Sequence, residues 1–316
     1  MTDSRKEELI RTFIENDNNQ YLNELTVQEI IFVYFNINNK WKETDGSDYE
    51  LEKKRTEIFQ AILIKMTSVE TLYVAYNIAT RCPHIDEEGS AWIFSEESFA
   101  SEAKEHYMSR FIALDIKKIS KDEYIEEFCE FVRSGIKTIL VDNGHYNTRV
   151  HVSDLMITDT SDGVIEQENP GLKFAMTCFF QNCFTKFTFE HKQEFLKELE
   201  GNMMREIASA KLLVPVRMKN REHVNDGQTV EINTSEPVEI PTLTNEKEKL
   251  NFMPAFTDWA EFVKVYSKDE WNAVIMDYTQ FVKASANCDG VMINPAGMPL
   301  RISEENVKRI EEFLKK

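Results

Sequence analysis

The same order of segments occurs twice along this chain, and a repeat of that length restricts the fold more than any single motif does. In the second half, strand-like Lys211-Leu-Leu-Val-Pro-Val216 leads to Phe252-Met-Pro-Ala-Phe256, a helical stretch opened by Thr257, a Gly290-led apolar run and Arg301-Ile302 before Ser303. In the first half, Thr71-Leu-Tyr-Val-Ala-Tyr76 leads to Ala91-Trp-Ile-Phe94, a helical stretch opened by Ser95, a Gly135-led apolar run and His151-Val152 before Ser153. A period this long means duplicated domains and not a stacked solenoid. The length of 316 residues suits two domains as well. The expected architecture is α+β: two tandem related domains at 47–157 and 172–316, each a small mixed β-sheet covered by helices. A helical N-terminal extension at 1–46 precedes them, and a turn-rich linker at 158–171 separates them.

Local signals fill in this outline. Thr26-x-x-Glu29 fits a capping box, and Ser47-x-x-Glu50 opens the helix that delivers the chain into the strand at Thr71. Ser95-Glu96-Glu97, Thr257-Asp258 and Ser303-Glu304 each combine a capping hydroxyl with an acidic first turn, so all three hydroxyls are expected at helix N-caps. Trp259, Phe262, Val263 and Tyr266 fall at helical spacing and predict a core-facing stripe. So do Tyr124, Ile125, Phe128 and Val132 after a strand at Phe111–Ile116. Asn294-Pro295-Ala296-Gly297 suits a type I turn closing a hairpin, and Asp142-Asn143-Gly144 takes that role, more loosely, in the first half. Lys219–Lys249 is expected to be a long loop or small hairpin excursion.

Composition narrows the partners. With 55 acidic against 37 basic residues the net charge is −18, which repels phosphate backbones and anionic lipid. Nucleic acid and membranes are not expected partners, and the short Lys117-Lys118 cluster reads as solvated surface. No run approaches the roughly 20 apolar residues of a membrane span, and Met1–Glu8 lacks the apolar core of a signal peptide, so the expected location is the cytoplasm. Five cysteines, Cys82, Cys129, Cys178, Cys183 and Cys288, form no CxxC pair and read as reduced, mostly buried thiols.

The second half resembles the SseB family, on Ala208-Ser-Ala-Lys-Leu-Leu-Val-Pro-Val216, Pro254-Ala-Phe-Thr-Asp-Trp259 and Gly290-Val-Met-Ile-Asn-Pro295, in that order. The first half is similar to the same domain through Leu72-Tyr-Val74, Trp92-Ile-Phe-Ser95 and Gly135-Ile136, with Asp142-Asn143-Gly144 where the second half has its Asn-Pro turn. The resemblance implies a cytosolic bacterial protein of mixed α and β structure. It carries over no catalytic residue.

Chemistry is sparse. GxSxG, HExxH, P-loop and GxGxxG patterns are absent from the sequence. Cys82-Pro-His84-Ile-Asp86 offers a thiol, an imidazole and a carboxylate, but so short a Pro-containing stretch reads as loop structure before catalysis or metal binding. Cys178-x4-Cys183 lies on an expected helix, where that spacing does not align two thiols on a metal. No catalytic residue, cofactor or metal is therefore expected. Two readings stand: a non-enzymatic protein that binds a protein or small ligand, or an enzyme of unknown class with its site in the cleft between the domains. Oligomeric state stays open.

Overall fold

The computed structural model describes residues 1–16, 18–156, 168–218 and 238–315. The chain divides into two compact units, one built from Met1–Ile78, Pro83–Val132 and Ile136–Asp159, the other from Ala79–Cys82, Arg133–Gly135 and Thr160–Lys316. Helices and small mixed sheets make each unit α+β.

In the first unit, α1 (Asp3–Leu9) runs through a π-helical turn and a 3-10 turn to α2 (Val27–Glu43). The Thr26 capping box forms as expected, with Thr26 Oγ1 accepting from Glu29 N while Glu29 accepts from Thr26 N. The next helix, α3 (Tyr49–Ser68), is capped by Asp48 and not by Ser47. The Asp48 carboxylate reaches Glu50 N and Leu51 N, whereas Ser47 Oγ turns back to the Thr44 carbonyl. There follow β1 (Thr71–Asn77), β2 (Ser90–Phe94), α4 (Glu97–Ser109), β3 (Leu114–Ser120), α5 (Tyr124–Arg133), β4 (Thr138–Val141), β5 (Thr148–His151) and α6 (Val152–Leu155). β3 starts later than the expected Phe111, because Phe111 is in a left-handed conformation with φ 61° that ends the α4 turn. On α5 the buried face is Tyr124, Phe128 and Phe131, while Ile125 and Val132 are exposed; the stripe takes the i, i+4, i+7 positions.

The second unit begins with α7 (Pro170–Phe184) and α8 (Lys192–Ser209), then β6 (Leu212–Met218), β7 (Val238–Glu239), β8 (Leu243–Asn245) and β9 (Leu250–Ala255). It closes with α9 (Trp259–Phe262), β10 (Asn272–Met276), α10 (Tyr278–Ala284), β11 (Val291–Ile293), β12 (Leu300–Ile302) and α11 (Glu304–Leu314). Pro170 and Gly171, placed at the linker's end by the sequence, are the first residues of α7, where proline's missing N–H costs nothing. The Asp159–Gly163 part of the linker lies outside the described residues, as does the start of the Lys219–Lys249 excursion. Its remainder includes a β8–β9 hairpin. α9 is a single turn; of the expected stripe Trp259 and Phe262 are buried, Tyr266 packs against them and Val263 is exposed.

Within each unit, strand order and direction are the same. The first sheet runs β3-β1-β2-β4-β5, antiparallel throughout except for the parallel β2–β4 pair. In the second unit β10 pairs antiparallel with β6, β9 pairs parallel with β11, and β11 pairs antiparallel with β12. An antiparallel bridge, Leu213 to Phe256, joins β6 to the end of β9 and completes the order β10-β6-β9-β11-β12. Its counterpart is Tyr73 opposite Phe94.

Proline chemistry explains why the second sheet is split along that seam. Leu213 N and O both bond Phe256, so alternate residues of β6, including Pro215, point at β9. On β9, Met253 N and Ala255 O bond toward β11, which turns Pro254 toward β6. Each proline lacks the N–H that a continued ladder would use. Burial of both faces holds β6 in place instead. Leu212, Val214 and Val216 pack with Met176, Ile207 and Ile310, and Leu213 packs with Phe256, Trp259 and Phe262. A fully buried phenylalanine such as Phe256 contributes about 2–3 kcal/mol of burial free energy.

Candidate functional site

The residue after β4 and the residue after β11 do the same thing. Asp142 and Asn294 are both buried and left-handed, with φ 57° and 49°, a conformation that short polar side chains tolerate best. Asp142 N donates to the Ile93 carbonyl and Asn294 N to the Ala255 carbonyl, extending the parallel pair by one bond in each unit. Their side chains then reach across to the residue after β2 or β9. Asp142 accepts from Ser95 N at 2.7 Å and Ser95 Oγ at 2.8 Å. Asn294 Oδ1 accepts from Thr257 N at 3.0 Å, and Asn294 Nδ2 donates to Thr257 Oγ1 at 2.9 Å.

This clamp corrects the expectation that Ser95 and Thr257 are helix caps. α4 begins after Glu96 with no side-chain cap, and α9 is capped by Asp258, which accepts from Glu261 N. Ser303 does cap α11, in a box with Asn306. Both expected hairpins form: Gly297 N donates to the Asn294 carbonyl, Val141 faces Thr148 and Ile293 faces Leu300, so the two turns have the same length. Gly290 N-terminal to β11 sits at φ 140° against the Ile302 carbonyl, which excludes a Cβ. The register sets Gly290 opposite the role of Thr138, three residues after Gly135.

What differs is the surroundings of the clamp. In the second unit it abuts a buried charge cluster: Lys173 Nζ lies 3.3 Å from Asp258 Oδ2 and 4.0 Å from Glu261 Oε1, and Lys264 Nζ lies 2.6 Å from Glu261 Oε1. Thr257 Oγ1 donates to Asp258 Oδ2. Two cations meet two carboxylates, so the cluster is internally neutralised and ties α7 to the turn before α9. No sequence signal announced Lys173, because its partners lie on a distant element.

In the first unit the clamp is joined by Gln28 of α2, whose Nε2 donates to Asp142 Oδ2 and to the Tyr146 carbonyl, each at 2.9 Å. Burial pushes the Asp142 carboxyl up, against the opposing pull of its Ser95 and Gln28 donors. The turn residues beyond it, His145, Tyr146 and Asn147, form one wall of a cavity of about 630 Å³. Met1 and Lys6 of the N-terminal segment, Phe35 of α2, and Phe99 and Glu102 of α4 complete the lining with Gln28. His145 packs against Phe99 with ring centres 4.0 Å apart and the rings tilted by 34°, and its Nε2 is 3.3 Å from Glu102 Oε2. Tyr146 meets Phe32 and Phe35 edge to face, and Lys6 Nζ lies 5.9 Å from the Tyr146 ring centre. The volume is that of a small-molecule pocket, and its lining mixes the aromatic Phe35, Phe99 and Tyr146 with the polar Lys6, Gln28, Glu102, His145 and Asn147.

The residues singled out in the sequence as nearest to reactive are spent elsewhere. His84 is buried edge-on against Trp92, its Nδ1 makes no hydrogen bond, and burial lowers its pKa to about 4, against a smaller opposing pull from Asp86. The Asp86 carboxylate accepts from Glu88 N, Ser90 N and Arg149 Nη2. Cys82 is partly buried and packs on the second unit's core. On α7, burial raises the Cys178 thiol to about 12, but Cys183 is exposed, contrary to the expected burial of both. Among the described residues no group of three or more His, Cys, Asp or Glu side chains is placed to hold a metal ion.

Residues 193–309 match the family model of the SseB protein N-terminal domain. The SseB-like stretch runs from α8 into α11 and so contains the Thr257–Asn294 clamp, the split sheet and the closing hairpin of the second unit. No curated protein and no solved structure matches the chain significantly. Among the described residues no helix is long and apolar enough to cross a membrane.

Proposed function

We propose that this is a non-enzymatic, cytosolic bacterial binding protein, in which a divergent copy of the SseB-like domain, at about 47–157, has acquired a small-ligand cavity together with the helices of 1–46. The carrying observation is the contrast between the two turns. The polar pair common to both units is buried and consumed by backbone and hydroxyl bonds, so it supports the scaffold; the three residues that follow Gly144 face a cavity with aromatic walls. Shared strand order, register and clamp support the duplication. The net charge of −18 weighs against nucleic-acid partners.

A fragment screen on the full chain tests this reading. Bound fragments should shift the backbone amide signals of residues 144–147, and Glu102→Trp, at a largely exposed position of α4, should fill the mouth and abolish those shifts. Fragments that bind undiminished to Glu102→Trp would place the ligand elsewhere and overturn the proposal.

A further inference from the structure

Resting on that reading, we infer that the cavity's ligand is a small molecule with a flat apolar body and a single carboxylate, the body held among Phe35, Phe99 and Tyr146 and the carboxylate met by Lys6. The charged groups at the cavity differ in how firmly they are held. Glu102 Oε2 lies 3.3 Å from His145 Nε2, and the Glu102 side chain is 66% exposed to solvent. Asp142, beneath the loop, accepts from three donors. Glu29, beside the α1 segment, is held by Arg5 at 2.7 Å. Lys6 is different: its ion pair is with Asp3 at 3.2 Å, and the Asp3 side chain is 95% exposed. Such a surface pair is weak and readily exchanged for a better-placed anion. The Gln28 amide is committed to Asp142 and Tyr146, and Asn147 Nδ2 to the His145 carbonyl.

The rings set the shape of the other end. Phe99 packs on His145 with the two rings tilted by 34°, while Tyr146 stands edge to face with Phe35. Offset and edge-to-face contacts with a planar guest are the geometries that such rings favour. A cationic guest would set its charge beside Lys6, and a large anion would meet the protein's overall negative field. That field is screened within about 8 Å at physiological ionic strength, so one carboxylate against one nearby lysine is still favoured.

Three probes of one shape decide the matter: phenylacetate, phenylacetamide and phenethylammonium, titrated into the full chain while the amide signals of residues 144–147 are followed. Phenylacetate should bind about tenfold more tightly than the neutral amide, the effect expected of one charge-assisted hydrogen bond. Lys6→Met should erase that preference and Lys6→Arg should keep it. Equal or tighter binding of the amide or the ammonium at the same signals would overturn the carboxylate assignment while leaving the cavity as a ligand site. If none of the three shifts those signals, this inference fails outright; the cavity itself is then judged by the Glu102→Trp screen.

Discussion

Removing the Asn294 side chain is the sharpest test of the clamp. In Asn294→Ala the Thr257 N–H loses its acceptor at 3.0 Å in a fully buried site, and an unsatisfied buried amide costs about 1–3 kcal/mol. The left-handed φ of 49° adds about 1 kcal/mol for alanine, so the expected loss is about 3 kcal/mol. Thr257→Val keeps the shape but removes the hydroxyl that serves both Asn294 Nδ2 and Asp258 Oδ2, for about 1–2 kcal/mol. Because the two substitutions destroy one shared network, the double variant should fall short of additivity by at least about 1 kcal/mol. The two units need not unfold together, so the readout is hydrogen exchange of the amides in 250–262 and 290–302, with Trp259 and Trp271 fluorescence in urea as a second probe. Additivity within about 0.5 kcal/mol, with Thr257→Val alone costing what an ordinary helix cap does, would refute the clamp and restore Thr257 as an N-cap.

Three further outcomes are expected. Asp142→Asn should keep the bonds to Ser95, since Asn294 shows an amide in that role, but it sets an NH₂ toward Gln28 Nε2. The loss of about 1–2 kcal/mol should shrink in the Gln28→Ala background, as urea melts of both variants would show. His84 is depressed to about 4 in the folded state from the ordinary histidine value of 6.5, so between those values the unfolded chain binds the extra proton and stability falls as pH falls. The total is on the order of 3 kcal/mol, and His84→Gln should remove that slope from the pH dependence of unfolding. Maleimide should label Cys183 fast and Cys178 slowly in the native protein, as peptide mapping would report, because one thiol is exposed and the other is held protonated by burial.

Local chemistry made much of the framework legible. The capping boxes at Thr26 and Ser303 formed as expected because both partners lie within one helical turn. The strands at Thr71 and Leu212 and the hairpin from Gly290 to Ile302 were readable for a similar reason: β-branched and aromatic runs bounded by Gly and Pro leave few local alternatives. Where two local options compete, sequence chose wrongly. Ser47 and Asp48 both suit an N-cap, and the carboxylate took it; Thr257 and Asp258 divided in the same way.

The resemblance of the two halves was visible as an order of segments, and its exact register was not. Arg301 and Ile302 correspond through their strand partners to Arg149 and Val150, two residues before the pair His151-Val152 that the segment order suggested. A pleated strand repeats every two residues, so a slip of two preserves the apolar pattern and cannot be seen in it. The candidate site was less legible still. The Gly144–Asn147 loop is readable as a turn, but its cavity needs Lys6, Phe35 and Phe99 from three separate elements, and its support needs Gln28 to find Asp142 across 114 residues of sequence. The sequence by itself determined which segments are helix, strand and turn, because those preferences are decided by neighbours a few residues away. Only the tertiary structure decided that Ser95 and Thr257 serve a clamp and that one of two turns of equal length opens on a cavity, because hydrogen bonds and walls are made by whichever groups folding brings within about 3–4 Å.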